Sequence, residues 1–444
     1  TVVVYVAPEQ DAVLDFITAA IANDDTNEQV EATYEGYVEL LNATYQTYGR
    51  QVELVFLDGS GQSQDEVAAR ADAVRAVEEL GAFAVLGSPA LNDAWSQELA
   101  ARGVPCIGCF GLPEPDPNIF TTLPSNDQNR LILTEYLLTK LAGEPAVHAG
   151  DEALQATTRS FGHLYIETSQ SSVDNAAELQ ADLEAGGSGF TEQRPYTLDP
   201  ARLQEQATPI ISGFKAAGIT TVVVQGDPIA MATFTREATA QDYFPEWVIG
   251  PSTLIDTAAF GRTYDQLQWA NAFGLSPLAA RVDPDAEETL YEWYFGEEAP
   301  ADDSEGVIAP NPLILFNALQ EAGPNLTVDT FRQGMYLGEP IEGAISAVSF
   351  TFGDHGLFPG IDGPDQAGID DWTEIWWDAE ATGPDELERE GTGLYRYVDG
   401  GRRFFVGGVT EELRVFEEEG SVTIYDEVPP TDAERIGTYD PPGG

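Results

Sequence analysis

Residues that could bind an anion or a carbonyl oxygen follow several predicted strands of this sequence. In open parallel sheets the ligand lies beyond the carboxyl ends of the strands, where helix N-termini present unpaired N–H groups. We therefore expect ligand contacts from two walls, one contributed by each of two sheets. The first wall consists of Ser88, Pro89, Ala90, Asn92, Phe110 and Gly111, and the second wall of Ser169, Ser171, Gln225, Asp227 and Ser252.

Three of these side chains also fit a purely structural role. Ser88, Ser171 and Asp227 each precede or open a predicted helix, and Ser and Asp side chains commonly accept hydrogen bonds from the first helical turn. Asp227 separates the two interpretations best. It either caps its helix or receives a ligand cation, and the sequence leaves both open.

No arrangement typical of catalysis is found. His148, His163 and His355 are far apart, and none lies in a metal-binding or deaminase pattern. The nucleophile elbow Gly-x-Ser-x-Gly is missing, and the glycines around Ser60 lack the lysine of a phosphate-binding loop. The sequence therefore predicts neither an enzyme nor a cofactor.

Four carboxylates in a glycine-rich stretch, Asp362, Asp365, Asp370 and Asp371, offer the hard oxygens that Ca²⁺ prefers. Their spacing is not that of an EF-hand. Because acidic residues are abundant throughout the chain, chance clustering is the better explanation, and we predict no metal site.

Cys106 and Cys109 are the only cysteines. A zinc site would need a second pair, and a thioredoxin-like motif would sit at a helix start, whereas Pro105 precedes this pair and Phe110 follows it. A local disulfide and two buried thiols are left as equal alternatives.

The elements that must position these residues alternate between strand and helix. Strands are predicted at 52–58, 83–87 and 104–107, with helices beginning near Ser63, through a Ser63–Glu66 capping box, and near Ser88. Such alternation is typical of a parallel α/β sheet.

The flanking segments extend this pattern. A buried strand is predicted at 1–7, and two further capping boxes, Thr26 with Gln29 and Ser125 with Gln128, begin helices. Alternation resumes after about residue 125 as a second sheet, with strands at 161–166, 220–224 and 247–251. Beyond Gly343, aromatic-rich alternating runs broken by Gly and Pro predict short strands and hairpins.

Composition limits the class of protein. A chain of 444 residues exceeds one hydrophobic core, and 43% hydrophobic residues can fill two or more lobes. The net charge of -56, from 76 acids and 20 bases spread along the chain, predicts a surface suited to high salt and a poor partner for nucleic acid or anionic membranes. No apolar run long enough to span a membrane is found, and no leader is visible before Thr1, although a removed leader would leave no trace.

Several segments, in order, resemble the type I periplasmic solute-binding proteins, the family that includes the leucine/isoleucine/valine-binding proteins of ABC transporters. The resemblance covers roughly residues 1–350. The matching segments are VELVFLD at 52–58, AFAVLG at 82–87, GVPCIG at 103–108, LAGEPAV at 141–147 and FGHLY at 161–165.

This resemblance implies a two-lobed type I periplasmic-binding fold, each lobe a mainly parallel sheet flanked by helices, with three crossings between the lobes. The crossings are expected near 121–124, 249–252 and 337–343. Lobe 1 would comprise 1–121 and 252–338, lobe 2 would comprise 122–251 and 339–355, and 356–444 would form a β-rich C-terminal extension packed on a lobe.

The resemblance also implies a function. We expect an extracytoplasmic, non-enzymatic protein that captures a small solute, such as an amino acid or related compound, for an ABC transporter permease. The family's amino-acid binders hold the ligand ammonium with a carboxylate just after the Gly-Pro pair, where this chain has Ser252. That anchor is therefore missing unless Asp227 or Asp256 replaces it. The alternative is a surface or structural protein, or a sensor domain, that reuses the fold without transport.

Overall fold

The computed structural model describes residues 1–8, 11–90, 92–112, 115–251, 254–286 and 288–433. Within them lie two large sheets flanked by helices, together with one small strand pair. The predicted α/β class is confirmed.

The first sheet consists of five parallel strands. In spatial order they are Leu54–Asp58, Val2–Val6, Ala84–Leu86, Cys106–Ile107 and Ile119–Phe120. Val3, Val4 and Val85 are completely buried, because helices cover both faces of the sheet, as parallel sheets require.

The second sheet combines a parallel part with an antiparallel hairpin. In spatial order its strands are Glu390–Tyr397, Trp372–Pro384, Ala272–Ser276, Glu246–Ile249, Thr221–Gln225, Phe161–Ile166 and Phe190–Tyr196, and Arg403–Phe404 pairs with Trp372–Pro384. The β-rich C-terminal region therefore continues the second sheet, rather than only packing on a lobe, because Phe273 and Trp376 pair across the junction.

Helices connect the strands. The longer ones are Ala12–Ile21, Asn27–Thr44, Glu66–Glu78, Ala94–Arg102, Asn126–Tyr136, Gln170–Ala185, Leu203–Ala216, Ala230–Ala240, Pro310–Glu321 and Val328–Met335, with a π-helix at Leu137–Leu141. The shorter ones are Glu152–Gln155, Ala258–Gly261, Gln266–Trp269, Leu290–Phe295, Glu305–Ile308 and Pro430–Ala433. The capping boxes predicted at Thr26 and Ser125 are confirmed, since both halves of each box form.

Two predicted helix starts are wrong. Asp65, not Ser63, caps the helix Glu66–Glu78 by accepting hydrogen bonds from the N–H groups of Val67 and Ala68. The helix predicted to begin near Ser88 begins instead at Ala94, because the Ser88 hydroxyl binds the N–H of Phe110 and so does not cap a helix.

The first crossing between the sheets lies where it was expected, and the second and third lie later in the chain than predicted. The first crossing lies between Phe120, in the first sheet, and the helix Asn126–Tyr136, which packs on the second sheet. The second crossing predicted at 249–252 is wrong, because Ala272–Ser276 pairs in parallel with Glu246–Ile249 and so also belongs to the second sheet. The chain returns only after Ser276.

The third crossing, predicted at 337–343, also lies later in the chain. Phe352 still packs in the core of the first sheet, and the chain reaches the second sheet at Trp372. Residues 254–276 were therefore assigned to the wrong lobe, and the segment 339–352 contacts both, since Ile345 packs on the core of the second sheet and Phe352 in that of the first. From here "first lobe" and "second lobe" mean each large sheet with the elements packed on it.

Two further features bear on the fold. A disulfide joins Cys106 and Cys109, whose Cα atoms are 5.8 Å apart, so of the two alternatives for these cysteines the structure contains the bonded one. Among the described residues no helix is both long and apolar enough to cross a membrane.

Candidate functional site

The carboxyl edges of the two large sheets face each other. Gln64, in the loop after Leu54–Asp58, donates from Nε2 to the carbonyl oxygen of Leu198 at 3.5 Å, and Leu198 follows Phe190–Tyr196 in the second sheet. Ile17 and Ile21, on the first helix of the first lobe, pack against the core of the second lobe. Loops that follow strand ends in one sheet thus meet those of the other.

Each sheet has one topological switch point, where the strand order reverses and a crevice opens. In the first sheet it lies between Val2–Val6 and Ala84–Leu86, and in the second between Phe161–Ile166 and Thr221–Gln225. Most candidate residues follow one of these four strands. Phe110 and Gly111 follow Cys106–Ile107, the neighbour of Ala84–Leu86.

Polar side chains tie the loops of the first wall together. Ser88 Oγ accepts a hydrogen bond from the N–H of Phe110 at 3.0 Å and contacts the carbonyl oxygen of Pro89 at 3.3 Å. Ser96 Oγ donates to the carbonyl oxygen of Phe110 at 2.6 Å. The predicted capping role of Ser88 is wrong, because its hydroxyl joins two strand-end loops. Phe110 stays 39% exposed, while Pro89 is buried, Ala90 half-buried and Gly111 exposed.

Asn92 belongs to a buried polar chain that fixes this wall from behind. Its Nδ2 donates to the carbonyl oxygen of Ser63 at 2.7 Å, and its Oδ1 accepts from the N–H of Ala94 at 3.1 Å. Ser63 Oγ in turn donates to Asp11 at 2.6 Å. Sequence reasoning missed Asp11, and its position just before the first apolar helix was the available signal.

The second wall presents exposed hydroxyls. Ser169 Oγ and Ser171 Oγ lie 2.6 Å apart, and neighbouring Thr168 Oγ1 and Ser172 Oγ lie 2.9 Å apart. Ser171 does not cap its helix, because Gln170–Ala185 begins one residue earlier, and Ser169 precedes it without a capping bond. Ser172 Oγ also accepts from the N–H of Thr168 at 3.3 Å, whereas the hydroxyls of Ser169 and Ser171 pair with each other and can turn toward a ligand oxygen.

Gln225 is oriented by a buried histidine. His163 Nε2 lies 3.1 Å from Gln225 Oε1, and His163 Nδ1 lies 3.0 Å from the amide nitrogen of Gln193. Since Gln193 donates to Nδ1, the ring proton resides on Nε2 and is donated to Gln225. Burial lowers the pKa of His163 to about 3, so the ring is neutral and stays in this tautomer.

Asp227 serves its own helix. Oδ1 accepts hydrogen bonds from the N–H groups of Ile229 and Ala230 at 2.8 and 2.9 Å, and Oδ2 accepts from the Tyr196 hydroxyl at 2.6 Å. Burial raises the pKa of this carboxyl group. Both oxygens are engaged within the second lobe, which supports the capping interpretation.

Replacing Asp227 by asparagine is expected to lower the free energy of unfolding by about 1 kcal/mol and to leave ligand affinity unchanged, because Asn caps about as well as Asp and only the acceptor of the Tyr196 hydroxyl is lost. Asp227→Ala, which removes both contacts, should cost roughly 2–3 kcal/mol. Urea unfolding and calorimetric titration measure the two quantities. A tenfold loss of affinity in Asp227→Asn with stability intact would instead identify a ligand cation site.

The other candidate for the missing amine anchor is Asp256. Ser252, which stands at the family's anchor position, lies outside the described residues. Asp256 is almost fully buried and accepts a hydrogen bond from Ser276 Oγ. Burial raises its pKa to about 7, so near neutral pH much of it is protonated and attracts an ammonium group weakly.

The acidic cluster near the third crossing is structural. Asp370 accepts from Ser349 and Thr351 hydroxyls at 3.1 and 2.8 Å, and Asp371 forms an ion pair with Arg403 at 2.7 Å. Asp365 accepts from the N–H of Ala367 at 2.8 Å. In the part of the chain that the structure describes, no group of three or more His, Cys, Asp or Glu side chains could hold a metal ion.

Comparisons with known proteins agree with this architecture. The family described as periplasmic binding protein matches residues 12–358, which is more than half of the chain. No curated protein matches the sequence.

Solved structures share the fold at low sequence identity. A solute-binding protein of an ABC transporter from Rhodopseudomonas palustris BisB5, in complex with 3,4-dihydroxybenzoic acid, is 12% identical with a TM-score of 0.56, covering 91% of this chain and 97% of its own. LivJ, the branched-chain amino acid transporter substrate-binding protein of Streptococcus pneumoniae in complex with isoleucine, is 13% identical with a TM-score of 0.54, covering 91% and 99%. A fatty acid ABC transporter substrate-binding protein from Thermomonospora curvata is 15% identical with a TM-score of 0.55, covering 94% and 96%.

Proposed function

The chain belongs to the periplasmic binding protein family, and from this premise we propose that it captures a small organic solute between its two lobes and delivers it to the permease of an ABC importer. The proposal includes an extracytoplasmic location and no catalytic step. The residues of the first and second walls other than Asp227 are its proposed ligand contacts, with Ser252 among them as a sequence-based expectation.

One observation supports this function most strongly. The switch points of both sheets lie on carboxyl edges that face each other, as the contact from Gln64 to Leu198 indicates. Two switch-point crevices facing each other form a ligand site with walls on separate bodies. A hinge movement of the lobes can then enclose the solute.

The ligand that these walls fit best is an organic acid. The compounds named with the three similar structures, a benzoic acid derivative, isoleucine and a fatty acid, share a carboxylate on an apolar body. Hydroxyls of Ser169 and Ser171 can donate to a carboxylate. Because Asp227 is engaged internally and Asp256 is partly protonated near neutral pH, a carboxylate without an ammonium group is favoured over an α-amino acid.

The test is a thermal shift series with matched ligands. Each aromatic or aliphatic acid is compared with its amide and with the α-amino acid of the same skeleton. The acid should stabilise the protein by about 2.7 kcal/mol at a hundredfold excess over its Kd, and the amide and amino acid should stabilise it less. Stabilisation by α-amino acids alone would contradict the organic-acid assignment, and no stabilisation across a broad solute library would contradict the transport function.

A second candidate function has one observation in its favour. Ile17 and Ile21 of the first helix pack on the core of the second lobe, as they would in a structural protein whose lobes are permanently joined. Such a protein would show no ligand-dependent stabilisation. It would instead self-associate, and the association would be lost when residues after Gly353 are altered.

A further inference from the structure

A hairpin turn at residues 385–389 is held rigidly on the second lobe. Arg262 donates from Nη1 to Asp385 Oδ2 at 2.9 Å and to the carbonyl oxygen of Arg389 at 2.8 Å. Glu386 accepts from the N–H groups of Ala258 and Ala259, both at 3.0 Å. The turn is therefore fixed at two points by one element of the lobe that carries it, the helix Ala258–Gly261 with Arg262 directly after it.

From this turn, the Arg389 side chain reaches the first lobe. Its Nη2 lies 2.8 Å from Asp303 Oδ2 and 2.9 Å from the carbonyl oxygen of Ala22, and its Nη1 donates to the carbonyl oxygen of Ile21. Ile21 ends the first helix, and Asp303 lies just before the helix Glu305–Ile308. One guanidinium group thus joins two segments of the opposite lobe.

The segment that carries Asp303 belongs to the first lobe, and the end of the first helix is bonded to it, although Ile17 and Ile21 also pack on the core of the second lobe. Asn23 Nδ2 donates to Ser304 Oγ at 3.2 Å, which ties the end of the first helix to the loop of Asp303. Ala301 donates its N–H to Thr33 Oγ1 at 2.9 Å, and Ile308 packs in the core of the first sheet. Arg389 therefore connects the second lobe to a segment anchored in the core of the first.

We propose that Arg389 is an interlobe latch that holds the lobes together and positions the two walls for ligand. The inference rests on the proposed function only in taking the lobes to move relative to each other. Arg389 lies beyond residue 358, where the family match ends. In this proposal the C-terminal hairpin helps to close the two lobes, in addition to extending the second sheet.

The chemistry suits a reversible contact. A guanidinium group can donate to a carboxylate and to carbonyl oxygens at once, and the last carbonyls of a helix carry partial negative charge that favours a cation. The Arg389 side chain is 36% exposed and that of Asp303 is 10% exposed, so solvent weakens the attraction. Removing either charge should lower the ratio of closed to open molecules by roughly fivefold, which corresponds to the upper end of the stabilisation that exposed ion pairs provide.

The experiment is small-angle X-ray scattering of the ligand-free protein. Arg389→Gln and Asp303→Asn should each increase the radius of gyration, and hydrogen exchange of the amides at residues 17–22 should become faster. The matched control is Arg414→Gln, because Arg414 is 32% exposed and pairs with Asp399 and Glu417 inside the C-terminal region only. The exchanged pair Arg389→Asp with Asp303→Arg should recover at most part of the wild-type radius, because the bonds from Arg389 to the carbonyl oxygens of Ile21 and Ala22 are lost.

Several results would overturn the latch. An unchanged radius in folded Arg389→Gln and Asp303→Asn, checked by circular dichroism, would do so, as would an equal increase in Arg414→Gln. If Arg389→Gln failed to fold, Asp303→Asn decides, since it keeps the guanidinium on the helix carbonyls. Because no ligand is added, a negative result here leaves the thermal shift test of the proposed function unaffected.

Discussion

Replacing Glu246 by glutamine should lower the free energy of unfolding by about 3–5 kcal/mol, the cost of leaving a buried partner charge unpaired. Glu246 and Arg159 form a two-point ion pair, with Nε to Oε2 at 2.8 Å and Nη2 to Oε1 at 2.9 Å. The Arg159 side chain is 1% exposed and that of Glu246 is fully buried. Water cannot take the place of the lost carboxylate.

Two further hydrogen bonds to Glu246 prevent a substituted side chain from restoring the lost interactions. Thr221 Oγ1 donates to Glu246 Oε2 at 2.7 Å, and the N–H of His148 donates to Oε1 at 3.1 Å. In a glutamine, an amide nitrogen would replace one of the two carboxylate oxygens. That nitrogen would face groups that donate hydrogen bonds, so at least one of the bonds to Glu246 would be lost. Urea unfolding followed by fluorescence measures the loss.

Two controls separate charge from packing. The double variant Arg159→Met with Glu246→Leu removes both charges and should recover much of the stability, because apolar replacements of buried pairs are often neutral. Asp329→Asn breaks the surface pair with Arg332, in which the aspartate is 76% exposed, and should cost under about 1 kcal/mol. A Glu246→Gln loss as small as the Asp329→Asn loss would contradict the assignment of a buried, uncompensated charge.

The ion pair is remote from the proposed ligand site. Glu246 begins the strand Glu246–Ile249, and Arg159 precedes Phe161–Ile166, so both lie at the amino edge of the second sheet, opposite the walls. We therefore expect ligand affinity of the folded fraction to be unaffected. This separates loss of stability from loss of function.

The sequence predicted those features whose interacting residues are neighbours in the chain. Thr26 with Gln29 and Ser125 with Gln128 form their capping boxes because every atom involved lies within one helical turn. Ser63 with Glu66 has the same pattern, yet Ser63 binds Asp11, 52 positions away in the sequence. A tertiary hydrogen bond outweighed the local one.

Two strands of the second sheet were missed for different reasons. Phe190–Tyr196 contains Pro195 and several charged residues, which resemble a loop, but an edge strand tolerates both, and this strand lies at the sheet edge. Ala272–Ser276 contains Gly274, where a Cβ would lie 2.2 Å from the carbonyl oxygen of Ile249. Glycine permits that close approach, whereas from sequence it indicates a break.

The sequence predicted where the candidate residues lie in the sheets better than it predicted which groups their side chains contact. The rule that ligands lie beyond strand carboxyl ends placed Ser88 and Gln225 at the switch points. It could not show that Ser88 holds Phe110, or that Gln225 is held by His163. Those partners come from other strands, and their pairing depends on register, which a single sequence does not specify.

Raising the ionic strength from low salt to about 1 M KCl should raise the melting temperature, because screening over about 3 Å at 1 M removes repulsion between surface carboxylates. The chain carries 76 acids against 20 bases. Partial burial, and after it the like charges of Asp58, Glu35 and Glu28, raise the pKa of Glu31. Salt also weakens exposed ion pairs such as Arg332 with Asp329, but each contributes only about 0.2–1 kcal/mol.

The salt series needs a control that changes charge without changing contacts. Glu31→Gln, at a half-buried position of the helix Asn27–Thr44 among like charges, should raise the melting temperature at low salt and lose that advantage near 1 M. KCl is preferred to sulfate, because sulfate stabilises most proteins by exclusion from their surfaces. The buried pair of Arg159 and Glu246 is screened little at either salt concentration, so it should not offset the gain. A melting temperature that stays constant or falls between low salt and 1 M KCl would show that the acidic surface serves solubility and does not oppose folding.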